Sequence, residues 1–394
     1  MQMRFRRFLT PAFGRRHTKA TSQATATSFE HLAVLILAAC LPPLLCSTAA
    51  GADHNSGRAV YQRSCVACHG EDGRGTPQST VGFKRPLPDF TNCASFNKEM
   101  DVDWFSVIYL GGPARGWSTI MPAFGSALSR DEITQVIAYV RNFCKNKAWP
   151  RGDLNLPRAL VTEKAFPEGE VVTTTSVNAS DPSAIGVMTV YEKRFGPLDQ
   201  LEIQTPVNFE RKDTGTWMGG IGDVTLGWKR VLLHNLNKGS ILSASGELIV
   251  PSGNRYKGFG NGTKIFEFFG AYGQLLPKQS HIQFQAGAEF PTDTSKAPRA
   301  AYWRTAVGKT IRQNHGFGRA WTPMIELVAD REFDTGAKTN WDVVPQIQVT
   351  LSRRQHIMAN LGLRIPATNT ADRPVQVMFY LLWDYLDGGL REGW

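Results

Sequence analysis

No cysteine follows Cys144, and the rest of the 394-residue chain carries no catalytic or metal-binding motif. Motif-borne chemistry is therefore expected in the N-terminal part. No apolar run is long enough to cross a bilayer comfortably as a helix: the one from Leu32 to Cys46 is short and interrupted by Pro42 and Pro43. Charge is thin, with 20% of residues charged and a formal net charge of +10. With residues up to Ala52 set aside, 38 bases face 33 acids, about +5 and widely spread. Such a balance gives no argument for nucleic-acid binding. The composition is neither disordered nor collagenous in character, and the length suits at least two folded units.

What is present begins with export. Arg4, Arg6, Arg7, Arg15, Arg16 and Lys19 precede the apolar run, and the small residues Ala50-Gly51-Ala52 follow it. That order reads as a signal peptide over residues 1–52 with an extended basic segment. An uncleaved anchor and cleavage at the lipoprotein-like Leu37-Ala38-Ala39-Cys40 are the alternatives. Arg6-Arg7 lies far from the apolar run, which favours the general secretory route over folded export. Cys40 and Cys46 leave with the peptide, and Cys93 and Cys144 remain in a disulfide-permissive setting. They are a candidate bridge, the alternative being two separate buried thiols.

The stretch Cys65-Val66-Ala67-Cys68-His69 organises the remainder. Two thiols three residues apart, followed at once by an imidazole, supply two thioether bonds to haem vinyl groups and an axial ligand to its iron. A redox dithiol or half a zinc site also uses Cys-x-x-Cys, but neither needs His69 directly after it. The expected cofactor is one covalent haem c. A short helix is expected before the motif and a glycine-rich turn, Gly70 to Gly75, after it. A second helix begins at Ser129, where Glu132 completes a capping box, and repeats Ile133, Val136, Ile137 and Val140 on one face.

This order, with Ile120-Met121-Pro122-Ala123-Phe124 before the final Tyr139-containing helix, resembles the class I cytochrome c family over about residues 53–147. The resemblance implies an all-α cytochrome c domain, assigned here to 53–149, with Met121 as the distal ligand opposite His69. Met100 is the rival and has packing as its bland explanation. His54, at the start of the mature chain, is a weaker candidate.

Residues 150–168, with Pro150, Pro157 and Pro167, read as a partly extended linker. From 169 to 394 the pattern is dyad alternation, as in Ile282, Phe284, Ala286, Ala288 and Phe290 against Gln283, Gln285 and Glu289. Twelve such strands can be counted, with short and long connections alternating. The expected fold is an antiparallel up-and-down β-barrel of the outer-membrane type, with aromatic girdles that include Trp217, Trp228, Trp303, Trp321, Trp341 and Trp383. A soluble β-sandwich is the alternative. Turns and prolines between Gly222 and Gly253 resemble the phenol-degradation-pathway outer-membrane barrels.

The whole arrangement resembles the fused monohaem cytochrome-porins of iron-oxidising bacteria. That resemblance implies an electron carrier for a periplasmic or extracellular donor or acceptor, at most an oxidase of an extracellular donor such as Fe(II). Twelve strands are too few to enclose a cytochrome. The haem domain is therefore expected at the periplasmic mouth, with the linker as the segment able to enter the lumen. A solute-transport or anchoring barrel whose cytochrome serves another redox partner is the competing expectation. Oligomeric state is not legible.

Overall fold

The computed structural model describes residues 54–83, 86–313 and 318–394. The signal-peptide reading, Cys40 and Cys46 lie outside the described residues, as does the side chain of His54.

The N-terminal unit contains helices His54–Ser64 (α1), Val66–His69 (α2), Gln78–Val81 (α3), Cys93–Phe96 (α4), Asp101–Leu110 (α5) and Arg130–Val140 (α6). Helix α6 starts as the sequence demands: Ser129 accepts from the Glu132 amide, and the Glu132 carboxylate accepts from the Ser129 amide at 2.8 Å. Its apolar stripe, Ile133, Val136, Ile137 and Val140, is buried against Val60 and Tyr61 of α1. The two helices approach closely at Gly57, where a Cβ would lie 2.3 Å from the Gln135 carbonyl oxygen. Only glycine allows that crossing.

The C-terminal unit is one antiparallel sheet. Its strands are Glu170–Asn178 (β1), Ala184–Phe195 (β2), Asp199–Arg211 (β3), Trp217–Ile221 (β4), Val224–Asn235 (β5), Ser240–Val250 (β6) and Ile265–Leu276 (β7). They continue as Ser280–Pro291 (β8), Ala300–Lys309 (β9), Ile311–Arg312 (β10), Ala320–Glu332 (β11), Asn340–Thr350 (β12), Ile357–Pro366 (β13) and Gln376–Asp384 (β14). Segments β4 and β5 both pair with β3, and β9 and β10 both pair with β11, so the described strands make twelve staves. Glu170 of β1 faces Asp384 of β14, which closes the barrel and excludes the sandwich.

Residues 217–221 and 224–235 form one stave, the fourth, in two pieces. The stave is interrupted because Pro206 of β3 has no amide to give the ladder. Opposite it Gly222 donates to the Pro206 carbonyl at 2.8 Å, and Asp223 turns away to accept from the amides of Gly253 and Asn261.

Side-chain polarity is inverted relative to a soluble sheet. Outward positions are apolar and exposed, for example Phe268 at 57%, Leu361 at 53% and Ile325 at 51%. Inward positions are polar and buried, among them Glu192, Gln200, Gln285, Glu326 and Asp342. This is the arrangement of a barrel solvated by lipid. Trp217, Trp303 and Trp341 lie towards the end with the longer loops. Trp321, Trp383 and the pair Phe195 and Trp228, 6.3 Å apart, lie towards the end with the short turns. No described helix is long and apolar enough to cross a membrane.

The helical unit docks on the short-turn end. Arg354, between β12 and β13, donates to the Gly116 carbonyl at 2.8 Å and lies 4.0 Å from the Trp117 ring centroid. Arg312 of β10 approaches the Met100 sulfur at 3.8 Å. Lys98 donates to the Leu386 carbonyl at 2.7 Å and pairs with Asp387 of the C-terminal segment. Burial, and next the neighbouring Asp387 carboxylate, push the Glu99 carboxyl well above its ordinary range.

Candidate functional site

The proximal half of the expected site is a single turn. The Cys65 carbonyl accepts from the His69 amide at 2.9 Å, which winds the motif into α2 and brings Cys65, Cys68 and His69 onto adjoining positions. Cys65 and Cys68 are both free thiols and half-buried. His69 is buried, stacks on Phe90 with centroids 4.7 Å apart, and has an Nδ1 without a hydrogen-bond partner. Burial lowers its pKa to about 4, leaving a neutral imidazole at neutral pH, the form that ligates a metal. Burial, and next the neighbouring Cys68, push the Cys65 thiol up to about 11.

The donor set fits a c-type haem: two unbridged sulfurs, a neutral imidazole and an apolar wall. That wall places Cys65 and Val66 in the same cluster as Ile108, Tyr109 and Phe124.

Met121 is half-buried in the loop between α5 and α6. The Met121 carbonyl accepts from the Gly112 amide at 3.0 Å, and Phe124 and Gly125 donate back to the end of α5. Met100 instead caps α5 at the barrel rim, with its sulfur against Arg312. Cys93 and Cys144 are bridged, with Cα atoms 5.1 Å apart. The bridge closes a 51-residue separation. On the chain-entropy account, replacing both cysteines by alanine lowers stability by about 4 kcal/mol; denaturant unfolding followed by the haem band is the check.

The largest feature that sequence reasoning left unspecified is the linker. Arg151, Gly152 and Asp153 still bond to the helical unit at Asp101 and Asn97, and residues 154–168 form a hairpin inside the barrel. The Leu160 amide donates to Gln346 of β12, those of Val161 and Thr162 to Glu326 of β11, and that of Glu163 to Gln285 of β8. Arg304 of β9 donates to the Val161 carbonyl at 3.1 Å, and Tyr380 of β14 to the Arg158 carbonyl at 2.7 Å. Arg158 pairs with Glu170 at 2.8 Å and Glu192 at 3.0 Å.

The apolar residues of the hairpin also find counterparts. Leu160 and Val161 join Met378 and Leu382, while Leu154 and Phe166 join Val231 and Ile241. No local pattern marks this course, because the partners of Leu160, Thr162 and Glu163 are supplied by strands far along the chain.

The chain is a small helical N-terminal unit followed by a closed antiparallel barrel of twelve staves among the described residues. Residues 52–140 match the family model described as cytochrome c oxidase, cbb3-type, subunit III. No curated protein matches the chain. Among solved structures, an outer membrane channel from Pseudomonas putida F1 is similar at 14% identity and TM-score 0.39, over 58% of this chain and 99% of that one. The NanC porin is similar at 9% identity and TM-score 0.38, over 54% and 97%. The KdgM porin is similar at 7% identity and TM-score 0.37, over 54% and 98%.

Proposed function

We propose that the protein is a monohaem c-type cytochrome anchored by its barrel in the bacterial outer membrane, with the haem domain on the periplasmic side, transferring electrons at that membrane. The observation that carries this reading is the joint position of the motif domain and the hairpin. The domain is clamped to the short-turn mouth by Arg354 and Lys98, and the lumen behind it is occupied by residues of its own tether. Short turns face the periplasm in barrels of this class.

In this reading Cys65 and Cys68 hold the macrocycle, and His69 and Met121 are the axial ligands. Haem so held supplies one-electron Fe(III)/Fe(II) chemistry at a potential raised by the thioether. Val60, Phe90 and Ile133 are buried in the cluster that Cys65 packs against and would help exclude water from a haem held there. Since one haem does not span an apolar band about 25 Å tall, donor and acceptor both approach the exposed face of the domain. Occupation of the lumen counts against free solute transport and favours the anchoring role.

A reduced electron-transfer protein, too large for general diffusion pores, is added to intact cells. No change in the haem spectrum is expected until the outer membrane is permeabilised, and reduction and reoxidation follow afterwards. Immediate reduction in intact cells would overturn the periplasmic placement.

A further inference from the structure

The register places acids in one inward row across adjacent staves. Glu192 faces Glu202, Glu202 faces Gly227, Gly227 faces Glu247, Glu247 faces Glu267, and Glu267 faces Glu289. Because strands tilt against a barrel axis, this row climbs from near Phe195 at the short-turn end to near Pro291 at the other. Like charges directly opposite one another are destabilising, more so when buried. Each member of such a row therefore calls for a counter-charge or a proton.

At its lower end Arg158 answers Glu192, and farther up the Tyr302 hydroxyl donates to Glu267. The middle is the most crowded part of the row. Gly227 leaves a gap in the row, where a Cβ would lie 3.2 Å from Glu247 Cγ and 3.3 Å from Glu202 Cβ. Beside Glu202 and Glu247 comes the carboxylate of Glu163, from the returning leg of the hairpin, with an oxygen of all three side chains within 4.8 Å of one another. The three side chains are buried, and Glu163 Oε2 has no hydrogen-bond partner. Glu202 accepts from two side-chain amides, those of Gln200 and Gln204. Lys229 belongs to the next row towards the haem domain, between Gln200 and Ser245.

We propose that Glu163, Glu202 and Glu247 bind a divalent, oxygen-ligated cation that ties the hairpin to the barrel wall. Three carboxylates converging in a water-poor lumen are the ligand chemistry of calcium, magnesium and manganese, and their negative charge is what such an ion neutralises. Absence of a side chain at Gly227 provides the room. The inference stands apart from the haem reading, because it concerns no atom of the haem site.

The test uses the full-length, haem-loaded protein in detergent, stripped with chelator and titrated with Mn²⁺, free ion being read by electron paramagnetic resonance. One site per chain is expected, displaced by Ca²⁺, and weakened at least about tenfold in Glu163→Gln and Glu247→Gln. Gly227→Ala, which fills the gap, is expected to weaken it as well, whereas Glu289→Gln at the end of the row retains it. Folding of each variant is checked by the haem spectrum and by the heat-dependent gel mobility of the barrel. Absence of a stoichiometric site in the folded wild type, or equal binding by all folded variants, would overturn the proposal.

Discussion

Replacing residues 157–164 by a short Gly-Ser bridge turns a barrel that passes little current into an open pore. Full-length protein in a planar bilayer is expected to be nearly silent, and the variant to conduct steadily, with an increase of about an order of magnitude or more. The physical ground is the size of the barrel. About eight staves leave room only for side chains, and sixteen or more leave an aqueous channel. Twelve staves leave a lumen that needs one additional chain segment to fill it, and Leu160, Val161 and Phe166 are buried there at 5%, 2% and 1% exposure. Without the segment, Glu326, Gln346 and Gln285 lose their backbone partners and must take water instead. Residual current should be cation-selective, since the inward row of glutamates then lines the opening. A folded variant as silent as the parent would show that side chains alone occlude the lumen.

Met121→Ala carries the second large effect. With His69 retained and the thioether removed, the haem potential is expected to fall on the order of 0.1–0.3 V, within the roughly 0.8 V range that axial ligands command. The sulfur-to-iron charge-transfer absorption of the oxidised protein should vanish with it. Met100→Ala should leave both unchanged, because that sulfur contacts Arg312 at the rim. Spectroelectrochemistry on the two variants separates the assignments; a potential that moves with Met100 and not with Met121 would exchange them.

Local rules carried much of the fold. Ser129 and Glu132 are three residues apart, so their capping box could be read before any packing was known. Strand positions near Ile282 to Phe290 followed from alternation, because in a lipid-solvated barrel every second residue meets lipid. Cys65, Cys68 and His69 were legible for the same reason, as neighbours in sequence. What stayed hidden depends on register. Glu202 and Glu247 lie on strands separated by β5, and only the turn lengths bring Gly227 between them. Glu163 reads as one more polar linker residue until the hairpin carrying it is seen inside the lumen. The bend at Gly222 was missed because its cause, Pro206, sits on the partner strand.

The course of the hairpin has a topological consequence. Its two legs are joined near their base, where Lys164 donates to Asn155 at 3.1 Å, and both Leu154 and Phe166 lie by Val231 and Ile241 towards the same mouth. Among the described residues no chain end passes through the ring of strands, so the segment can be seated after the ring has formed and withdrawn without breaking a bond or unzipping a seam. Assembly can therefore proceed in either order, with the haem domain completed separately and lowered onto a finished cylinder, its tether entering last.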